Sequence, residues 1–348
     1  MKTRWAVLGS GGIARRRTIP EGISAASNAE LMAVYDVDAA VNKAVAEQYG
    51  ARCCASEEEL IGTDCDVVYI ATPVYAHCRQ AILAAEAGRH VLCEKPFGLT
   101  VAEAEQMASV FREKGLKLGM GLMMRFHAQH QAALKLVQQG ALGVMTYGRA
   151  QLSCWYPPIP GAWRQDPVTG GGGSLMDLGS HCIDLLEMYL GRVRRVCCVT
   201  ANRVHAYPSE DTAVVLLEFE SGATGTVDAL FNVPDAASKN RLELYGAQGG
   251  ILAEGTIGQG AQGEMRAILE EFSTGYQAQQ ERDGAGGYAI MPEPVNMYRA
   301  EVEAFSRCVQ EDLEPPVSGE DGAWSQRIMS ACYASARTGG FVEVSQAG

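Results

Sequence analysis

Three groups of residues in this chain have types and spacings that could do chemistry together. The first is Gly9-Ser10-Gly11-Gly12-Ile13-Ala14, directly after the apolar run Trp5-Ala6-Val7-Leu8. Gly9 permits a tight turn, Gly11 lets the backbone approach a pyrophosphate, and the small Ala14 lets a helix pack close to a strand. The free N–H groups and positive dipole end of that helix suit phosphate. Asp36 lies 22 residues past Ala14, where a carboxylate can accept hydrogen bonds from the ribose diol of a bound dinucleotide. A 2′-phosphate would meet that carboxylate, so NAD is expected and NADP disfavoured. Arg15-Arg16-Arg17 is the counterweight, readable as a solvated first helical turn or as contacts to cofactor phosphates.

The second group is Glu94-Lys95-Pro96, at the carboxyl end of the apolar run His90–Cys93. There Lys95 would lie near a cationic nicotinamide, which with partial burial favours its neutral form and lets it hydrogen-bond a substrate oxygen. The same residues also read as a surface lysine paired with Glu94. The third group follows Gly170-Gly171-Gly172-Gly173, with Ser174 starting a helix towards Gly191. At about 100° per residue, Asp177, His181 and Asp184 fall within an arc of about 60°. They border an apolar stripe of Leu175, Leu178, Cys182, Leu185, Leu186 and Tyr189. An acid and an imidazole there suit proton transfer; the alternative is a solvated polar face. No third ligand accompanies them, so no metal is expected.

Two further segments flank these groups. Trp155, Tyr156, Trp163 and Arg164 sit in a Pro-rich loop that reads as a sugar-stacking wall or as a loop anchored to a core. Thr72, Pro73 and His77 follow the run Val67–Ala71 and read as cofactor contacts or as an ordinary helix entry with His77 exposed.

The elements that must position these residues fall into two patterns. Residues 3 to about 122 alternate short apolar strands with helices: strands at Leu31–Asp36, Val67–Ala71, His90–Cys93 and Leu116–Gly121, helices at Ala39–Tyr49, Ala76–Ala87 and Thr100–Lys114. Thr100 and Glu103 form a capping box for the last helix. Such alternation predicts a doubly wound parallel sheet with ligands at its carboxyl ends. After a helix at Phe126–Gln139, longer strands follow without crossover helices: Val144–Tyr156, Arg194–Asn202, Asp211–Glu220, Ala223–Asn232 and Arg241–Tyr245. They predict an α+β unit with a large, mainly antiparallel open sheet and a hairpin at Glu220-Ser221-Gly222. The Gly- and Gln-rich stretch 255–290 reads as a mobile loop. Helices near Asn296–Gln310 and Gly322–Thr338 and a short strand, Phe341–Val344, close the chain. The expected division is 1–123 for the dinucleotide and 124–348 for substrate and subunit contacts.

Composition bounds the function. At 348 residues with 47% hydrophobic and 20% charged residues, the chain is that of a globular protein of about two domains. A net charge of −12 argues against a nucleic-acid partner. Eleven cysteines without zinc-ligand spacing predict reduced thiols and a cytoplasmic location. No apolar run reaches the roughly 20 residues that span a bilayer, so no membrane partner is expected.

Taken in order, these motifs resemble the Gfo/Idh/MocA family, the glucose–fructose oxidoreductase and inositol dehydrogenase type. The resemblance is carried by Gly9-x-Gly11-x-x-Ala14, Ala71-Thr72-Pro73 with His77, Glu94-Lys95-Pro96, Trp163-Arg164, and the Gly-rich run leading to Asp177, His181 and Asp184. Asn296-x-Tyr298, Glu303-x-Phe305 and Pro315-Pro316-x-Ser318-Gly319 extend it to the tail. It implies a Rossmann domain, a second domain whose open sheet makes a homo-oligomer (dimer or tetramer), a nicotinamide cofactor, and oxidation of a secondary alcohol on a cyclic polyol, sugar or glycoside. Lys95, Asp177 and His181 become the catalytic trio, with His181 as base, Asp177 orienting it and Lys95 on the reacting oxygen. Two departures stand out: Val74-Tyr75-Ala76 replaces the Asn common in relatives, and Gly119–Arg125 (GMGLMMR) lacks their polar or aromatic residues. Redox-neutral glycoside cleavage or epimerisation with retained NAD, and a non-catalytic NAD-dependent sensor, are the alternatives.

Overall fold

Apolar runs of four to six residues flanked by helices are too short to hide themselves and must be covered on both faces. The computed structural model describes residues 2–269 and 287–346. It buries these runs as six parallel strands: β1 (Thr3–Leu8), β2 (Ala29–Tyr35), β3 (Arg52–Cys53), β4 (Val67–Ile70), β5 (His90–Glu94) and β6 (Leu118–Gly121). Their order is β3-β2-β1-β4-β5-β6, a Rossmann sheet that reverses direction of growth between β1 and β4. Helices α1 (Ala39–Tyr49), α2 (Glu57–Ile61), α3 (His77–Glu86) and α4 (Val101–Lys114) connect the strands, α1 and α4 capped by Asp38 and Thr100. The helix after the glycine turn differs from expectation. Over Ala14–Ile23 it is wide, with i→i+5 bonding such as Ser24 N–H to Ile19 O, and it contains Pro20, which has no N–H to donate.

Beyond α5 (Ala128–Gln138) the second sheet has nine strands among the described residues, rather than the six expected. These are β7 (Met145–Ser153), β8 (Val193–Ala201), β9 (Thr212–Phe219), β10 (Thr224–Leu230), β11 (Arg241–Gly246), β12 (Gly249–Glu254), β13 (Glu264–Leu269), β14 (Gly287–Ala289) and β15 (Val342–Glu343). All neighbours are antiparallel except β7 and β10, and β9–β10 is the expected hairpin. The mobile-loop reading of 255–290 is corrected at β13 and β14, which extend the sheet; residues 270–286 lie outside the described residues. Glycines and a lone charged alternation hid these strands, whose pairing partners supply the order that local sequence lacks.

The inner face of this sheet packs on α7 (Ser180–Leu190), which follows the short helix α6 (Pro167–Gly170). Its outer face leaves Val199, Val214, Leu216 and Leu252 exposed. The last two helices, α8 (Met297–Glu311) and α9 (Gly319–Thr338), tie the two sheets together. From α8, Phe305 meets the Trp5 ring edge-on at 5.8 Å, and Ser306 Oγ accepts from Trp5 Nε1 at 3.0 Å. From α9, Ser335 Oγ accepts the Cys198 N–H of β8. Among the described residues no helix is long and apolar enough to cross a membrane.

Because Phe305 is 2% exposed and fills the Rossmann core from the far end of the chain, Phe305→Ala should cost about 3–5 kcal/mol of unfolding free energy. Denaturant unfolding checks this; a loss within experimental error would mean that α8 is not part of that core.

Candidate active site

The glycine turn is shaped by close approach. Gly9 has φ +81°, and a Cβ there would lie 2.8 Å from the backbone of Ala71 and Thr72. Its N–H and that of Ser10 donate to Tyr35 O, fixing the turn against the end of β2. Asp36 Oδ2 accepts the Gly11 N–H at 2.8 Å, and Oδ1 accepts the Asp38 N–H at 2.9 Å. Each carboxylate oxygen keeps a lone pair for another donor. Gly12 is exposed with open space beside it, and Ser10 Oγ is buried without a partner among the described residues. An orphaned hydroxyl in a turn that leaves room above its backbone fits the phosphates of a dinucleotide.

A cavity of about 670 Å³ opens beside this turn, between the two sheets. Ile13 and Arg16 reach it from the cap and first turn of the wide first helix, Glu94 and Lys95 from the end of β5 and the residue after it, Tyr156 and Arg164 from the Pro-rich loop, and Asp177 and His181 from the helix before and within α7. Lys95 Nζ donates to Asp177 Oδ1 at 2.5 Å and to the Asp177 backbone oxygen at 2.9 Å. Arg164 Nε donates to the same Oδ1 at 3.0 Å, its guanidinium stacked 4.1 Å from the Trp163 ring. Lys95 is thus neither on the surface nor paired with Glu94, because its side chain is 11% exposed and faces Asp177. Burial opposes ionisation of Asp177, but the charges of Lys95 and Arg164 outweigh it and hold the carboxyl well below the usual range.

This arrangement corrects the role given to Asp177. Its partners are Lys95 and Arg164; His181 makes no hydrogen bond among the described residues, and its Nδ1 is buried without a partner. Burial, then the charge of Lys95, pushes the His181 imidazole down to about 3, so the ring is neutral. The arc of Asp177, His181 and Asp184 is also broken up. Leu175–Gly179 is a wide turn, with Ser180 N–H bonded to Leu175 O, so the helix is not a regular 100° spiral there. Asp184 turns away to accept a forked ion pair from Arg125. The polar end of GMGLMMR is therefore structural, while Met123 and Met124 give the cavity apolar wall.

His77 is corrected as well. It is buried, not exposed, and its Nδ1 and Nε2 lie 2.9 Å from Pro96 O and Thr72 O. Burial pushes the ring down to about 4, so it carries a single N–H that donates to one of these two carbonyls while the ring packs between the β4 loop and the loop of Lys95. Thr72 Oγ1 donates to Gln80 Oε1, and Pro73 leads the turn into α3. Of the three aromatics of the Pro-rich loop, Tyr156 lines the cavity; Trp155 packs edge-on against His205 and Trp163 carries Arg164.

Sequence reasoning missed two contributions. Glu210 holds the glycine run: its carboxylate accepts the N–H groups of Gly173 and Leu175 and the Tyr333 hydroxyl. A Cβ on Gly172 would fall 1.8 Å from that hydroxyl, so the run is dictated by packing. Asp235, Ser238 and Asn240 reach the far wall from the β10–β11 connection. Neither follows from a local spacing. Among the described residues no cluster of three or more His, Cys, Asp or Glu could hold a metal.

Comparison with known proteins accords with this geometry. Residues 3–122 match the oxidoreductase family with an NAD-binding Rossmann fold, and residues 130–252 match the GFO/IDH/MocA C-terminal domain. The chain is 32% identical over 355 residues to D-xylose 1-dehydrogenase (NADP(+)) 2 of Haloferax volcanii, covering 98% of this chain and 99% of that one. It is 28% identical over 345 residues to 1,5-anhydro-D-fructose reductase of Ensifer adhaerens, covering 98% of each. A solved structure of aldose–aldose oxidoreductase from Caulobacter crescentus, complexed with glycerol, superimposes with a TM-score of 0.87 at 29% identity, covering 99% of this chain and 100% of that one. Fold, cavity and likeness along nearly the whole length agree: the chain belongs to the Gfo/Idh/MocA family of oxidoreductases and carries an NAD(P)-binding Rossmann domain.

Proposed function

We propose that the protein is a dehydrogenase that prefers NAD and reversibly oxidises a secondary alcohol of a cyclic polyol, sugar or glycoside. The observation that carries this reading is the meeting of Lys95, Asp177, Arg164 and His181 on one cavity at the carboxyl ends of the Rossmann strands. The relatives named above for xylose, anhydrofructose and aldoses support the substrate class. In the same reading residues 1–123 hold the dinucleotide and 124–348 hold the substrate. The exposed apolar strand face of Val199, Val214, Leu216 and Leu252 supports a homo-oligomer.

A nicotinamide cofactor, when bound, would supply the hydride chemistry. Everything else falls to the chain. Gly9 to Ala14 receive the phosphates, and Asp36 receives the ribose diol. Lys95, held beside Asp177, donates a hydrogen bond to the reacting oxygen and stabilises the negative charge that builds on it as its proton leaves. Asp177 and Arg164 hold the ammonium in place, so little reorganisation accompanies the step. His181 is a neutral imidazole at the cavity wall and takes the hydroxyl proton. Burial and nearby cations make the resulting imidazolium a strong acid, which releases its proton to water in the open cavity or returns it in the reductive direction.

The aldose–aldose oxidoreductase likeness favours one second reading, in which a retained cofactor is reduced by one sugar and reoxidised by another. Protein purified with stoichiometric NAD, turning over sugars without net NADH, would establish it over the first.

Asp36→Ser should raise the ratio of NADP to NAD efficiency by about tenfold or more, measured as kcat/KM; an unchanged ratio would place Asp36 outside the ribose site. His181→Ala should lower kcat/KM by about 10²–10⁴-fold. The base form of His181 is lost only as pH falls through about 3, so the acid limb of the wild-type profile should lie well below 6.5. A limb centred on 6.5 that disappears in His181→Ala would contradict the neutral, buried imidazole.

A further inference from the structure

Behind Lys95 the cavity wall contains a buried acidic cluster that the reaction above does not use. Glu94 Oε1 accepts from the Tyr69 hydroxyl at 2.5 Å, and that hydroxyl oxygen lies 2.9 Å from Thr18 Oγ1. From the other side α8 brings Tyr298 and Glu301, one turn apart and 3% and 4% exposed. Tyr298 lines the cavity, and Glu301 Oε1 is buried without a partner among the described residues. Buried polar atoms left unsatisfied cost about 1–3 kcal/mol each and are rare. One such atom, on a carboxyl whose neighbourhood holds a second carboxyl, asks for a function.

The surrounding charges define what the cluster can do. Burial, then the charge of Glu94, pushes Glu301 well above its ordinary value; the Leu122 N–H opposes this and Asp184 adds to it. Burial also raises Glu94, against the Tyr69 hydrogen bond and the charges of Lys95 and Arg164. Arg17 sits over the Tyr298 ring at 5.3 Å. Both carboxyls are therefore easier to protonate than an exposed carboxylate, at the strand end where a Rossmann sheet receives its dinucleotide.

We propose that Glu94, on the cavity wall, and the buried Glu301 together set which redox form of the nicotinamide binds more tightly and couple that preference to pH. The inference rests on the dehydrogenase reading. Oxidation of the alcohol carbon passes a hydride, two electrons and one hydrogen nucleus, to the ring, which thereby loses its positive charge; the hydroxyl proton leaves through His181. An ionised carboxyl beside the ring favours the cationic form over the neutral one. Rising pH strips protons from the pair and favours NAD⁺, and falling pH favours NADH. By linkage, the slope of the affinity ratio against pH equals the difference in protons bound by the two complexes.

Calorimetric titration of the full-length protein with NAD⁺ and with NADH, in two buffers of different ionisation enthalpy, reads affinities and proton counts together. In the wild type, Kd(NAD⁺)/Kd(NADH) should fall with rising pH by up to about tenfold per pH unit, with proton uptake when NADH replaces NAD⁺. The double variant Glu94→Gln, Glu301→Gln should flatten that dependence. A wild-type ratio independent of pH, or a double variant that keeps the slope, overturns the proposal and leaves the dehydrogenase reading standing. Failure of both redox forms to bind overturns the two together. The wild-type proton count needs no variant, so the test holds even if the double variant does not fold.

Discussion

The structure turns on the ion pair between Lys95 and Asp177. One partner ends a strand of the Rossmann sheet, and the other stands in the wide turn before α7, on the second sheet. A lysine and an aspartate that are 11% and 17% exposed are stable together only if their hydrogen bonds are satisfied. Arg164 supplies the third contact, and Trp163 braces Arg164. Joining the halves therefore creates the site: neither half alone would hold this geometry.

Several features exist to keep that pair in register. His77 ties the loop after β4 to the loop after Lys95, and Glu210 ties down the glycine run that leads to Asp177. The Arg125–Asp184 fork fixes α7 two turns further on. Phe305 and Ser306 bring the end of the chain back onto β1, so the two sheets share helices as well as a cavity. The catalytic end of each sheet is held by side chains far from the reacting groups.

Much of this was legible in the sequence because it is local. The Gly9–Ala14 turn, the parallel strands, α1 with its bounds and the Thr100 cap all follow from patterns that short-range sterics impose. Lys95, Asp177 and His181 could be singled out by position and by family likeness. What could not be read was long-range. His77 meets Pro96 and Thr72 only after folding, Asp177 chose Lys95 over His181 because two cations converge on it, and Asp184 found Arg125 across 59 residues. The wide turn at Leu175–Gly179 breaks the regular helical spacing on which the predicted arc depended. Strands β12 to β14 take their order from pairing partners, which no single stretch of sequence records.

The position of a substrate's reacting carbon decides whether these side chains act on it. A crystal structure of the protein with NADH and a bound sugar measures this directly. It should show one sugar oxygen within hydrogen-bond reach, about 2.6–3.2 Å, of both Lys95 Nζ and a His181 ring nitrogen, its carbon facing the nicotinamide. A sugar held elsewhere in the cavity, with Lys95 and His181 out of reach of the carbon nearest the nicotinamide, would contradict it.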